Sequence, residues 1–272
     1  LRRRPRADGM APAVLDHLVV NTRFATDAAQ ALFAGLGFTL TPRGCHSLGS
    51  VNHLAVFPQG YLELVGLPLG TGRLRQEILD SPTGIDGLVL ATSDALATHA
   101  QWTAQGLALR PVQDFSRPVA FAGGEGVARF STARLEPGQC PGGRIYACQH
   151  HTPELVWRPE WQAHANGVQG MAELVVVSAD PAQARQDYAR LGAWGGDFAL
   201  TFSDAAGWAA RFGALAAHAP QRREFFGAIR FRGADPVAMA ARASALGLPR
   251  AAREGAVAVA LPALHTLLEF TP

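Results

Sequence analysis

Four segments of this 272-residue chain repeat one pattern, in which a short apolar strand precedes an aspartate that begins a helix and a glycine that ends it. Aspartate accepts hydrogen bonds from the free N–H groups of the first helical turn, and glycine closes a helix in a left-handed conformation. The aspartate and glycine are 12 residues apart in three segments and 10 apart in the first. This repetition predicts duplicated units, whose helices run over Asp27–Gly37, Asp94–Gly106, Asp180–Gly192 and Asp235–Gly247.

The residues that follow each helix determine the fold class. After Gly37, three strand-like runs (38–43, 50–57 and 60–66) succeed one another with no second helix. This order is βαβββ, whereas a doubly wound parallel sheet alternates strands and helices. The third unit is less regular, because the alanine-rich stretch 205–218 also fits a helix. We predict an α+β fold of four βαβββ units, forming two pairs of curved mixed sheets with helices on the outer faces.

The pairing of units defines two expected domains. We predict first strands near 14–20, 84–90, 171–177 and 226–232. A first pair would occupy residues 11–160 and a more divergent second pair residues 165–272, with the proline-rich and polar stretch 157–167 as the connector.

The charge and the cysteine content limit the binding partners and the cellular location that the sequence predicts. All 24 basic residues are arginines, and four of them lie among the first six residues. The rest of the chain is nearly neutral, which removes the main argument for nucleic-acid binding. No long apolar run predicts a membrane span, and three cysteines without C-x-x-C spacing favour a reducing cytoplasm. We expect a small-molecule substrate or ligand, no nucleic-acid or membrane partner, a cytoplasmic location, and a chain that can form a homodimer.

Two strands place ionisable residues among apolar ones. By the period of two, His17 shares a face with Leu15 and Val19, and Glu63 shares a face with Tyr61. A carboxylate in the middle of an apolar strand is costly to bury without a partner. Either a metal ion shared with His17 or an arginine would compensate it; Arg43 and Arg144 are the arginine candidates. His17 alone is better explained as a hydrogen-bonded core histidine, and its pairing with Glu63 on an adjacent strand is what favours a metal ligand.

Four stretches resemble the glyoxalase-like domain family of the vicinal oxygen chelate superfamily. They are 15–20 (LDHLVV), 46–52 (HSLGSVN), 61–65 (YLELV) and 149–161 (QHHTPELVWRPEW). The superfamily includes glyoxalases, fosfomycin resistance proteins and extradiol dioxygenases. These motifs cover about residues 13–167, and the resemblance beyond them rests on the repeat.

The resemblance implies a cleft in which first and last strands supply ligands to a divalent metal ion (Fe, Mn, Zn or Ni). Residue by residue, it implies metal ligation by His17, Glu63 and His150, with Gln149 as the alternative to His150. It further implies substrate contacts from His46 and Asn52, which are equally suited to holding the turn at Gly49.

Two departures from the family pattern limit this assignment. Gly87 occupies a first-strand ligand position and cannot coordinate a metal ion. The second pair has Glu173 and Glu269 at the corresponding places but no histidine beside them, whereas extradiol dioxygenases carry two histidines and a glutamate there. Dioxygenase chemistry is therefore disfavoured, and this glutamate pair is interpreted as a structural remnant.

Two functional hypotheses follow. The first is a divalent-metal-dependent isomerase or lyase acting on a small substrate with vicinal oxygens, in which Glu63 is a metal ligand and also carries a proton. The alternative is a metal-free protein of the same fold that binds or sequesters a small molecule. The pairing of His17 with Glu63 favours the enzyme, and Gly87 favours the binder.

Overall fold

The structure is a computed structural model that describes residues 12–70 and 74–272. The first half of the chain contains strands β1 (Pro12–Ala13), β2 (Leu15–Arg23), β3 (Gly44–His46), β4 (Ser50–Phe57), β5 (Gly60–Gly66), β6 (Gly84–Ala91), β7 (Gln113–Phe121), β8 (Gly124–Arg134) and β9 (Arg144–His150). Its helices are α1 (Thr26–Gly35), α2 (Gln76–Asp80) and α3 (Ala95–Ala104).

The second half contains strands β10 (Gly170–Val177), β11 (Ala193–Trp194), β12 (Ala199–Ser203), β13 (Phe225–Arg232), β14 (Arg250–Arg253), β15 (Ala256–Leu261) and β16 (Thr266–Phe270). Its helices are α4 (Pro181–Ala189), α5 (Ala205–Phe212) and α6 (Pro236–Ala245). Short 3₁₀ helices occupy 153–155, 159–161, 213–218 and 262–264. Within the described ranges, no helix is both long and apolar enough to cross a membrane.

Two mixed sheets with helices packed on them make an α+β fold. The larger has eight strands in the order β3-β4-β5-β2-β6-β9-β8-β7, and the smaller has six in the order β12-β10-β13-β16-β15-β14. The edge strands β3 and β7 approach each other, since the Ser47 amide donates to the Ser116 carbonyl (2.9 Å). The eight-stranded sheet is therefore a nearly closed barrel with an interior of its own.

The four predicted first strands are present as β2, β6, β10 and β13. The first, second and fourth units contain the βαβββ elements, but the third does not, because α5 and the 3₁₀ helix 213–218 follow β12. The predicted strand at 38–43 is also wrong. Phe38 turns into the core, where its ring lies 5.2 Å from that of Phe231, and the next strand begins only at Gly44.

Three of the four predicted aspartate caps form. Asp94, Asp180 and Asp235 each accept a hydrogen bond from a first-turn amide. Asp27 does not cap α1; it lies within the first turn and pairs with Arg43.

Helices α1, α3, α4 and α6 pack between the two sheets, at the junction of the two halves. One continuous core contains Leu18 and Leu64 of the larger sheet together with Leu174 and Leu268 of the smaller. On α3, Trp102 donates its indole N–H to the Leu191 carbonyl (3.0 Å). Each sheet therefore turns its helix-covered face toward the other half and keeps a second face, here called the inner face.

Each first strand contains a β-bulge near its start. The pairing of β2 with β6 and of β10 with β13 skips one residue at each bulge, and the skipped residues are Asp16, Asp86, Ala172 and Gly227. A bulge shifts the alternation of side chains. Leu15 consequently packs into the core between the sheets, which corrects its predicted position beside His17.

Candidate functional site

A small cavity of about 30 Å³ lies inside the eight-stranded sheet. Seven of the eight strands contribute to it, because the barrel closes around its own inner face. The predicted residues His17, His46, Asn52 and Glu63 all line it. Glu63 pairs with Val19, two residues along the strand from His17. Their side chains are therefore diagonal neighbours on parallel strands.

The Glu63 carboxylate is surrounded by one asparagine and two histidines. Asn52 Nδ2 donates to Glu63 Oε1 (2.7 Å), while His17 Nε2 lies 3.8 Å from Oε2 and His46 Nε2 lies 3.8 Å from Oε1. Burial by itself raises the pKa of Glu63, but His46, His17 and the Asn52 hydrogen bond outweigh it and hold the pKa below its usual value. The carboxylate is therefore ionised in the fold.

Neither arginine considered as a partner for Glu63 reaches it. Arg43 pairs with Asp27, and Arg144 donates to Asp86 (2.6 Å). Neither side chain lines the small cavity, so the arginine explanation in that form is wrong.

His17 is oriented by Asp16, a residue that sequence reasoning missed. The buried Asp16 carboxylate accepts a hydrogen bond from His17 Nδ1. His17 Nε2 faces the cavity, 3.3 Å from the Tyr146 hydroxyl, and its ring stacks on Tyr61 at 4.2 Å. Burial raises the pKa of Asp16, but the interactions with His150 and His17 lower it by more, so that the pKa falls to about 2. An ionised carboxylate on Nδ1 fixes the imidazole ring with Nε2 directed toward the cavity.

The two candidates for the third ligand lie outside the cavity. His150 Nε2 donates to Asp16 Oδ1 (3.1 Å). The Gln149 amide accepts from the Ala95 N–H (3.1 Å) and donates to the Ser93 carbonyl (2.8 Å), so it caps α3. The geometry thus brings together His17 and Glu63, attaches His150 through Asp16 and leaves Gln149 apart.

His46 and Asn52 both face the cavity and also hold the local turn. His46 Nδ1 lies 2.9 Å from the Ser50 hydroxyl, and Asn52 Nδ2 lies 3.3 Å from His46 Nε2. Burial lowers the pKa of His46 to about 4 despite the opposing charge of Glu63, so the ring is neutral near pH 7. Asn52 Oδ1 is buried without a hydrogen-bond partner.

A second group of potential ligands lies beside the first. Asp16, Cys148 and His150 each offer one ligand atom, and the three atoms lie within 4.8 Å of one another. Cys148 also lines the cavity. Burial raises the pKa of its thiol well above the usual value, so Cys148 would have to lose a proton to bind a metal ion. The alternation of the strands did not reveal this group, because Asp16 is a bulge residue.

The inner face of the second half is occupied by side chains of its own. This face is filled by Trp208 and Phe212 of α5 and by Leu215 of the adjoining 3₁₀ helix. Arg211 of α5 donates to both predicted glutamates, to Glu173 (2.7 and 2.9 Å) and to Glu269 (2.6 Å). This ion pair supports the interpretation of the two glutamates as structural.

A larger cavity of about 910 Å³ lies between the halves. Arg134 and Tyr146 line both this cavity and the small one. Beside them, Glu77 of α2 lies 2.8 Å from Arg75 and 3.6 Å from Arg134. Arginine side chains therefore extend from the junction of the halves to the barrel interior.

Comparison with known proteins gives a family and a fold. A family model described as a glyoxalase-like domain matches residues 15–192, and no curated protein matches the chain. A hypothetical protein from Staphylococcus aureus superposes with a TM-score of 0.66 at 10% identity, over 95% of this chain and 98% of its own. A xylose isomerase-like TIM barrel/4-hydroxyphenylpyruvate dioxygenase fusion protein has a TM-score of 0.57 at 14% identity (96% of this chain and 49% of its own). A mutant of 4-hydroxymandelate synthase from Streptomyces coelicolor has 0.54 at 10% (96% and 92%). At these identities the likeness concerns the fold alone.

Proposed function

Because the chain belongs to the glyoxalase-like domain family, we propose that it is a divalent-metal-dependent isomerase or lyase acting on a small substrate with vicinal oxygens. One observation carries the proposal. His17 Nε2 faces the ionised Glu63 carboxylate across 3.8 Å, and in the neutral ring with its proton on Nδ1, toward Asp16, this nitrogen carries a lone pair. Two acceptor atoms that face each other in a buried cavity are stabilised by a cation between them.

The residues present fit a divalent ion. His17 Nε2 and a Glu63 oxygen are the ligand types that Zn, Fe, Mn and Ni accept, and the Asp16–His17 hydrogen bond is the usual support of a ligating histidine. A bound ion would polarise a substrate carbonyl. Ligation by His150 or Gln149 stays a prediction. The group Asp16, Cys148 and His150 is the competing place for the ion.

The protein's own groups supply proton transfer and exclusion of water. Asn52 fixes Glu63 Oε1, which leaves Oε2 facing His17 Nε2, where it would either bind the ion or exchange a proton with the substrate. Burial raises the pKa of Tyr146 well above its usual value, so its hydroxyl stays protonated and can donate to a substrate oxygen. Phe115 and Phe130 stack at 5.0 Å beside the cavity and reduce the access of water.

Metal analysis of protein purified without chelator tests this proposal. We expect bound metal in the wild type, loss of metal and activity in Glu63→Gln and His17→Gln, and retention in Cys148→Ala. Glu63→Gln should fold normally, because a neutral amide still accepts the Asn52 hydrogen bond and strands no arginine. Metal retained in both site variants but lost in Cys148→Ala would move the ion to the competing group. A metal-free wild type would refute the enzyme proposal.

A metal-free binding protein is the second candidate, supported by two observations. A proton on His17 Nε2 would compensate Glu63 in place of a cation. At the position related to His17 in the second unit, a Cβ on Gly87 would lie 2.8 Å from the side chain of Val19, so no ligating residue fits there. In this case chelator would leave the melting temperature unchanged, and Glu63→Gln would lower the stability by removing the ion pair with His17. We also propose a small-molecule partner and a cytoplasmic location.

A further inference from the structure

Arg117 is a buried cation inside the barrel. It lies on β7, is 2% exposed, and lines the small cavity. Its Nη2 is buried without a hydrogen-bond partner. Among residues 12–70 and 74–272, no carboxylate lies within ion-pair distance of its guanidinium. Buried arginines are normally paired, so this one lacks the partner that its burial calls for.

The neighbouring strand makes room for this side chain. A Cβ on Gly44 of β3 would lie 3.1 Å from Arg117 Cδ and Nη1, and 2.3 Å from Asn52 Oδ1. A Cβ at this position would displace Asn52 and crowd Arg117, so glycine leaves room for both side chains. The Arg117 side chain therefore fits into the space beside Gly44, where the edge strands β3 and β7 of the barrel meet.

The other charges of the cavity do not neutralise Arg117. The lining contains three arginines (Arg75, Arg117 and Arg134) and one carboxylate, Glu63. Arg75 and Arg134 share Glu77, and Glu63 is engaged by Asn52. Burial lowers the pKa of Arg117, and the more distant Tyr61 and Glu63 offset this only in part. An anion beside the guanidinium would stabilise the charged form.

We propose that Arg117 binds the carboxylate of a small anionic substrate in the inner cavity. The planar guanidinium matches a carboxylate in geometry and hydrogen bonding. A cavity of about 30 Å³ has space for roughly two water-sized groups, which suits the two oxygens of a carboxylate. This inference rests on the proposed function only for the location of the substrate.

Acetate and acetamide are suitable probes, because they have the same shape and differ in charge. Each is titrated into the protein as purified, at constant ionic strength, and binding is followed by the rise in melting temperature. We expect acetate, but not acetamide, to stabilise the wild type, and Arg117→Met to bind acetate at least tenfold more weakly. The matched control is Arg110→Gln, which removes an arginine that lines only the larger cavity and should leave the acetate response unchanged.

Arg117→Gln provides a second variant in case Arg117→Met does not fold. If neither variant folds, Arg117 is required for folding. That result would contradict the inference that its charge serves to bind a ligand. Equal acetate binding by wild type and Arg117→Met, or equal stabilisation by acetate and acetamide, also overturns the inference. Metal content is measured in parallel. A metal-free wild type that binds acetate through Arg117 refutes only the enzyme proposal, whereas a metal-loaded wild type without an acetate response refutes only this one.

Discussion

Replacing Arg211 with methionine is predicted to destabilise the chain without affecting the candidate site. Arg211 donates hydrogen bonds to Glu173 and Glu269. These two glutamates are 2% and 5% exposed. Removing one partner of a buried ion pair costs about 3–5 kcal/mol, because the remaining charge is left uncompensated.

The surrounding arginines place the expected effect at the lower end of that range. Arg230 Nε stays 3.1 Å from Glu173, and Arg253 stays 3.7 Å from Glu269. We therefore expect a loss of about 3 kcal/mol in the free energy of unfolding. For a chain of this size, this corresponds to a fall of about 6–12 °C in melting temperature.

Urea and thermal denaturation measure this loss, and a compensating variant checks its cause. Combining Arg211→Met with Glu173→Gln and Glu269→Gln removes all three charges. This triple variant should recover most of the stability, because no buried charge is then left without a partner. Both results should be the same with and without chelator. A loss below about 1 kcal/mol would refute the reasoning, as would a loss that appears only in the presence of chelator, because the glutamates would then hold a metal ion.

Two further predictions concern pH and the helix cap. His46 has a pKa of about 4 in the fold against 6.5 ordinarily, so the unfolded chain binds more protons between these values and stability falls by about 3 kcal/mol as the pH drops from 6.5 to 4. His46→Gln should remove that part of the slope in urea titrations, and an unchanged slope would contradict the assignment. Gln149→Ala should lower stability by about 1 kcal/mol through loss of the hydrogen bond to Ala95 at the start of α3 while leaving metal content intact; loss of metal would show that Gln149 is a ligand after all.

The repeat made much of the fold predictable. Asp94, Asp180 and Asp235 are caps with a direct hydrogen-bonding reason, and their spacing predicts where the first strands begin. The diagonal neighbours His17 and Glu63 were also predictable, because the period of two and the family resemblance place both on one inner face. The family match at 15–192 confirms the resemblance.

The remaining features depend on events that alternation does not reveal. A bulge adds one residue without changing the composition of a strand, so neither the position of Leu15 nor the contact of Asp16 with His17 could be read from β2 alone. Gln149 turns toward α3 because that helix end requires an acceptor, which depends on tertiary packing. The choice between strands and a helix at 205–218 was decided by the inner face of the second sheet, which α5 fills.

The single core that joins the two sheets determines which substitutions the chain can tolerate. Buried atoms without partners, such as Asn52 Oδ1, Arg117 Nη2 and His150 Nδ1, reduce the stability of the first half. In the described part of the second half, such atoms occur at Arg222 and Glu224, which line the cavity between the halves, and not on the inner face. One core spans both halves. Packing against the second half therefore stabilises the first half, whose small cavity and unpartnered atoms would otherwise weaken it. Substitutions at the junction, for example at Trp102, should therefore lower the amount of folded protein and inactivate it without touching the cavity.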